Sequence, residues 1–274
     1  MLAVGFAGAA CALAVDFDTL KGNDLRADDA SFGDGAAEAS SEAAAFAYSA
    51  EVLKDEPIGY FRLGEAPGAT TASNQVPKGA VGTYHDGVTL GVPGAIFGDS
   101  DTAARFDVGS VVISDPAFDF AAHASFTLEA WLKPSALDDE YRRVLAAEQL
   151  TPRQGYSMTI HGRDGIQFER YLDGVQEGAN PLPAQVLPLG VYTHVVAVYD
   201  AAIQTCSLYL NGEAVATPTN QCVFSITHHG SFVVGAPAGG LTYSTFQGTI
   251  DEVALYAKAL SGARAKAHFL AGSR

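Results

Sequence analysis

Residues 206–217 read CSLYLNGEAVAT. Asn211-Gly212 sits between two short runs, and both central residues of a type I′ turn need positive φ, which Asn and Gly tolerate. The stretch predicts a two-residue β-hairpin. Working outward, the apolar period from Gly59 onward is mostly two. The alternation predicts strands at Gly59–Leu63, Thr83–Tyr84, Ala103–Phe106, Val111–Ile113, Phe126–Lys133, Arg143–Ala147 and Tyr156–Ile160. It continues at Ile166–Tyr171, Tyr192–Asp200, Cys206–Leu210, Glu213–Thr217, Phe232–Val234 and Gly248–Tyr256. Gly, Pro, Asn and Asp clusters separate them. About a dozen strands with almost no helix between them imply an all-β sandwich or barrel.

Two helices are expected at the ends. Glu42 to Lys54 is Ala-rich, with Phe46, Ala50 and Leu53 at helical spacing, and Pro57 limits its extension. Ser261 is a good N-cap for a closing helix that Gly272 ends.

The chain has 274 residues, 31 acidic and 16 basic, for a formal charge of −15. An apolar fraction of 48% excludes disorder throughout. Arg142-Arg143 is the sole adjacent basic pair, so the basic stripe that drives nucleic-acid binding is missing. Anionic membrane surfaces are disfavoured for the same reason. Residues 12–56 hold 11 acids and 3 bases, a net of −8, and residues 57–274 hold 20 and 13, a net of −7. The excess therefore concentrates in a stretch poor in large apolar groups, expected to be a flexible acidic tether.

Met1 to Val15 reads MLAVGFAGAACALAV, with the apolar core and small residues of an export signal but no basic n-region. Either the start lies too far downstream, or this is an ordinary buried apolar segment. Gly8-Ala9-Ala10-Cys11 partly resembles a bacterial lipobox, with Gly8 where Leu is usual; Cys11 is then the lipidation candidate. The expected organisation is a truncated signal or lipobox-like segment over 1–11, the tether with a helix start over 12–47, and one folded domain over 48–274.

Five phrases carry a resemblance. VLKDEPIGYFRLGE (Val52–Glu65), FTLEAWLKP (Phe126–Pro134), YTHVVAVYD (Tyr192–Asp200), LYLNGEAV (Leu208–Val215) and FQGTIDEVALYAKALS (Phe246–Ser261) occur in this order. Together they resemble bacterial laminin-G-like, concanavalin-A-like jelly-roll domains. The resemblance implies a two-sheet antiparallel jelly-roll sandwich. It also implies extracellular binding of glycans or proteins, sometimes with calcium at the sandwich rim.

Cys206 and Cys222 flank the hairpin. In an exported chain they are expected to form a disulfide, contributing roughly 3 kcal/mol through loop closure. The alternative is two free thiols buried as small apolar groups.

No G-x-S-x-G elbow, H-E-x-x-H, P-loop or dinucleotide glycine set is present. Glucanases of the jelly-roll fold carry Glu-x-Asp-x-(x)-Glu on one strand, where alternation puts the acids on one face. The nearest segment here is Thr249-Ile250-Asp251-Glu252, which lacks the flanking Glu residues. Glu129, Glu148 and Glu169 sit singly. An enzyme is therefore not expected. The resemblance places Asn74 and Asp251 near one another as oxygen ligands for calcium, although the Asp expected in the loop after Glu65 is absent; the alternative for Asp251 is a turn-bracing carboxylate. His194 is expected inside the fold, and His228-His229 in a surface loop. Trp131, with Tyr141, Tyr171 and Tyr243, supplies candidate sugar-stacking rings, Trp131 on the amphipathic face of its strand. The expected function is a non-catalytic carbohydrate- or protein-binding module, secreted or held at a bacterial cell surface. A glycoside hydrolase and a purely structural envelope protein are the alternatives.

Overall fold

The computed structural model describes residues 48–120, 124–151, 153–172, 175–179, 184–215, 230–238 and 244–274. The chain folds as an antiparallel jelly-roll sandwich closed by a short helix at each end. In chain order the elements are α1 (residues 48–54), β1 (Gly59–Phe61), β2 (Thr71–Ala72), β3 (Gly82–Tyr84), β4 (Val88–Pro93), β5 (Thr102–Phe106) and β6 (Val111–Ile113). There follow β7 (Phe126–Pro134), β8 (Arg142–Leu150), β9 (Arg153–His161), β10 (Gly165–Leu172), β11 (Val175–Ala179) and β12 (Thr193–Asp200). The chain closes with β13 (Thr205–Leu210), β14 (Glu213–Ala214), β15 (Phe232–Val234), β16 (Gly248–Tyr256) and α2 (Gly262–Gly272).

Sheet 1 runs β14-β13-β12-β7-β16-β5-β4, with β1 also pairing with β16. Sheet 2 runs β11-β10-β9-β8-β15-β6-β3-β2. The predicted hairpin joins β13 to β14, with Leu210 opposite Glu213 and positive φ at Asn211 (51°) and Gly212 (75°). Strands β2, β4 and β11 escaped sequence reading, although Val88, Leu90 and Val92 of β4 alternate with exposed Thr89, Gly91 and Pro93.

Period-two patterning decides which side chains meet between the sheets. Phe126, Leu128, Ala130 and Leu132 of β7 face inward, joined by Val195, Ala197 and Tyr199 of β12 and Tyr156, Met158 and Ile160 of β9. Phe126 stacks on Phe120, their centroids 4.4 Å apart.

The outer face of sheet 1 is covered as well. Helices α1 and α2 lie across it, and Tyr48, Val52, Tyr60, Trp131, Ala254, Tyr256 and Leu260 form a second apolar cluster there, with Phe269 against it. The stripe that α1 buries is Tyr48 and Val52; the expected Leu53 and Ala50 are exposed. Ser261 caps α2 by accepting the Arg264 backbone N–H at 3.3 Å. A Cβ on Gly272 would sit 2.8 Å from Trp131, so glycine lets the helix end reach the indole.

Candidate functional site

Sheet 2 places its polar alternates on the face away from the core. On β9 these are Ser157, Thr159 and His161; on β10, Gln167 and Glu169; on β8, Arg143 and Glu148. Strand register sets them in rows. Arg143, Thr159 and Gln167 share one row, Ala146, Ser157 and Glu169 the next, and Glu148, Gly155 and Tyr171 the third. On the β15 side the same face turns apolar, with Val112, Val233, Ala236 and Ala238.

Arg143 is braced from two sides. Its Nε donates to Glu148 Oε1 at 2.9 Å and its Nη1 to the Tyr141 carbonyl at 2.8 Å. Thr159 Oγ1 donates to Glu169 Oε2 at 3.3 Å. Two neighbours of that bond have buried atoms without a hydrogen-bond partner, Ser157 Oγ and Gln167 Oε1. Such groups cost roughly 1–3 kcal/mol when buried without a partner. Burial raises the Glu148 carboxyl above its usual range against the pull of Arg143, and the Glu169 charge adds to the rise.

The polar side chains of this face are themselves buried, Ser157 and Thr159 completely, and the face meets solvent at Tyr141, which is 39% exposed. Its ring stacks on His161, with centroids 4.3 Å apart and planes 20° apart, and its hydroxyl donates to Asp164. His161 Nδ1 accepts the backbone N–H groups of Arg163 and Asp164 at 3.2 and 3.1 Å. The same Nδ1 lies 3.3 Å from Asp164 Oδ2. At the far end, Gly155 adopts φ +109°, and a Cβ there would lie 2.0 Å from the Ala147 carbonyl oxygen. Gly155 thus lets β9 pass close beside Glu148.

A second constellation lies under the helices of sheet 1. Glu129 is fully buried and accepts from Tyr48 Oη (3.1 Å), His194 Nε2 (2.8 Å), His268 Nδ1 (3.0 Å) and Tyr256 Oη (2.7 Å). Burial opposes its ionisation, but the His268 charge and the two imidazole hydrogen bonds outweigh burial and hold the carboxyl well below the usual range. Trp131 Nε1 donates to Tyr48 Oη at 3.0 Å. Every group here is buried, and the arrangement fastens helices to a sheet.

A family model described as the concanavalin A-like lectin/glucanases superfamily matches residues 107–266, more than half of the chain. This chain belongs to that superfamily. No curated protein matches the sequence. Among solved structures, domain 4 of AbnA, a GH43 extracellular arabinanase from Geobacillus stearothermophilus in complex with arabinotriose, is 17% identical with a TM-score of 0.57. That match covers 77% of this chain and 97% of the domain. The binding domain of Paraclostridial Mosquitocidal Protein 1 is 15% identical with a TM-score of 0.59, over 79% of this chain and 52% of that one. A Trypanosoma rangeli sialidase is 16% identical with a TM-score of 0.54, over 77% of this chain and 32% of the sialidase. At these identities the likeness is one of fold. The chain spans nearly all of the arabinanase domain and about a third of the sialidase.

In this lectin/glucanase-like chain several expectations change. Trp131 is not a ligand platform: it is 4% exposed, pinned beneath α1 and α2, with Phe269 stacked at 5.9 Å. Its strand is amphipathic because its outer face receives helices, not a ligand. Asn74 is spent on a turn, accepting from the Tyr60 and Val76 backbone at 3.1 and 3.0 Å and donating to the Ala80 carbonyl. Asp251 accepts the Ala95 N–H at 2.7 Å through Oδ2, while its buried Oδ1 has no partner. Burial and then the Glu252 charge push the Asp251 carboxyl well up. Among the described residues no group of three or more His, Cys, Asp or Glu is arranged to hold a metal ion.

His194 lies inside the fold on Glu129. Tyr141 stands at the rim of the sheet 2 face, and Tyr171 lies on β10 in the row of Gly155. Cys206 is buried on β13. Cys11, Cys222, Tyr243, His228 and His229 lie outside the described residues. The convergence of Glu148 and Glu169 with Ser157 and Gln167 was missed. Its signal was present, since polar residues alternate with Tyr156, Met158 and Ile160 on one strand and Ile166 and Phe168 on the next.

Proposed function

We propose that this chain is a non-catalytic glycan-binding module whose ligand face is the polar outer face of sheet 2. The observation that carries this is the pair of unpartnered buried atoms, Ser157 Oγ and Gln167 Oε1, set among Arg143, Thr159 and Glu169. Sugar hydroxyls donate and accept together, and this cluster offers both kinds of partner within adjacent rows. Tyr141 supplies an exposed ring at the rim, suited to the C–H face of a sugar. Superfamily membership supports the same assignment, as does a fold neighbour solved with arabinotriose. The secreted or surface-tethered setting, the Cys11 anchor and the Cys206–Cys222 disulfide form part of this proposal.

The test is a glycan array that includes arabinan and β-glucan, with a reducing-sugar assay beside it. Retention without release of reducing ends is expected. Silence on the array would contradict the proposal. One observation favours hydrolysis instead: Glu148, its carboxyl raised by burial, shares a face with Glu169, and glycosidases divide acid and base roles between two carboxyls. Release of reducing ends that Glu148→Gln abolishes would establish that reading.

A further inference from the structure

His268 of α2 stands between two carboxylates. Its Nδ1 is 3.0 Å from both oxygens of Glu129 on β7, and its Nε2 is 3.0 Å from Asp55 Oδ2, just beyond α1. A carboxylate accepts and does not donate, so both ring nitrogens must carry hydrogen for both contacts to be hydrogen bonds. Arg264 Nη2 lies farther from Nε2, at 3.4 Å, and its Nε donates to Asp55 at 2.6 Å. We propose that His268 is a proton-operated latch: as imidazolium it ties α1 and α2 to each other and to sheet 1, and loss of one proton releases the Asp55 end.

The surroundings support the charged state at neutral pH. Facing His268 are Tyr48, Glu51 and Asp55 from α1 and its end, Glu129 from β7, His194 from β12, Tyr256 from β16 and Arg264 from α2 itself. Burial lowers the tendency of His268 to hold a proton, but Glu129 and then Asp55 outweigh burial and the Arg264 repulsion, and the net direction is upward. His194 behaves differently. Its Nε2 lies 2.8 Å from Glu129 Oε1, while its Nδ1 has no partner.

Nitrogen-15 spectra of the histidine rings in the full chain test this directly. At pH 7 His268 should show both ring nitrogens protonated. A neutral His268 with Nε2 accepting from Arg264 would overturn the proposal. Amide exchange gives a second reading, after correction for intrinsic rates. Above the His268 transition, protection of residues 262–272 should fall about tenfold per pH unit, the slope for one linked proton. Asp55→Asn lets a neutral His268 accept an amide N–H, so its protection should be flat over the same range. Parallel pH courses in the two proteins would also overturn the latch.

Discussion

Glu129 and His268, 139 residues apart in sequence, share a bifurcated contact in which Nδ1 lies 3.0 Å from each carboxylate oxygen. Buried ion pairs contribute little net stability relative to apolar replacements, but removing one partner is costly. Glu129→Gln should therefore destabilise the fold by about 3 kcal/mol or more in chemical denaturation. Trp131, the sole Trp, should shift its emission to the red as the helices loosen. A loss under about 1 kcal/mol would show that the centre tolerates a neutral group.

Glu252 gives a pH prediction of definite sign. Burial pushes its carboxyl up to about 7, against the pull of Arg62 and the hydrogen bond from Tyr60. The folded value is higher than the unfolded value of 4.5, so the folded state binds the proton more tightly. Its stabilising contribution is complete below pH 4.5 and is lost as pH rises through about 7. Melting temperatures of Glu252→Gln should fall less steeply than those of the wild type between these limits. Equal slopes would contradict the assignment.

At the rim of sheet 2, Tyr141→Ala should leave the melting temperature within a degree or two while weakening glycan binding about tenfold, the scale of one aromatic contact. Affinity electrophoresis in arabinan or β-glucan gels measures this. Unchanged mobility relative to the wild type would move the ligand elsewhere.

The hairpin cysteines give a chemical prediction. Thiol titration of denatured protein should reveal Cys206 and Cys222 only after reduction. Equal counts with and without reductant would reject the bond.

Much of the fold was legible because strands facing a core alternate, and the alternation of Phe126 to Leu132 or Tyr156 to Ile160 survives without knowledge of partners. Strand β4 was missed although Val88, Leu90 and Val92 alternate, because Gly91 and Pro93 within it are turn-type residues and it pairs at a sheet edge. The function of Trp131 was misjudged for a related reason. A strand pattern shows that a face is amphipathic, but whether helices or a ligand cover it depends on α1 and α2, elements remote in sequence. Asn74 and Asp251 were grouped by family likeness; their hydrogen bonds to backbone are fixed by loop conformation, which residue type does not reveal. The sheet 2 face was hidden because Arg143, Glu148, Ser157, Gln167 and Glu169 come from three strands, and register brings them together.

The central claim is that Ser157 Oγ and Gln167 Oε1 await a ligand. The double variant Ser157→Ala, Gln167→Leu removes both atoms without removing a hydrogen bond to either, so its stability should equal or exceed that of the wild type. Calorimetric titration with the oligosaccharide that scores highest on the array is the decisive measurement. The account predicts an affinity loss of tenfold or more in a protein at least as stable as the wild type. Undiminished affinity in the double variant would contradict it.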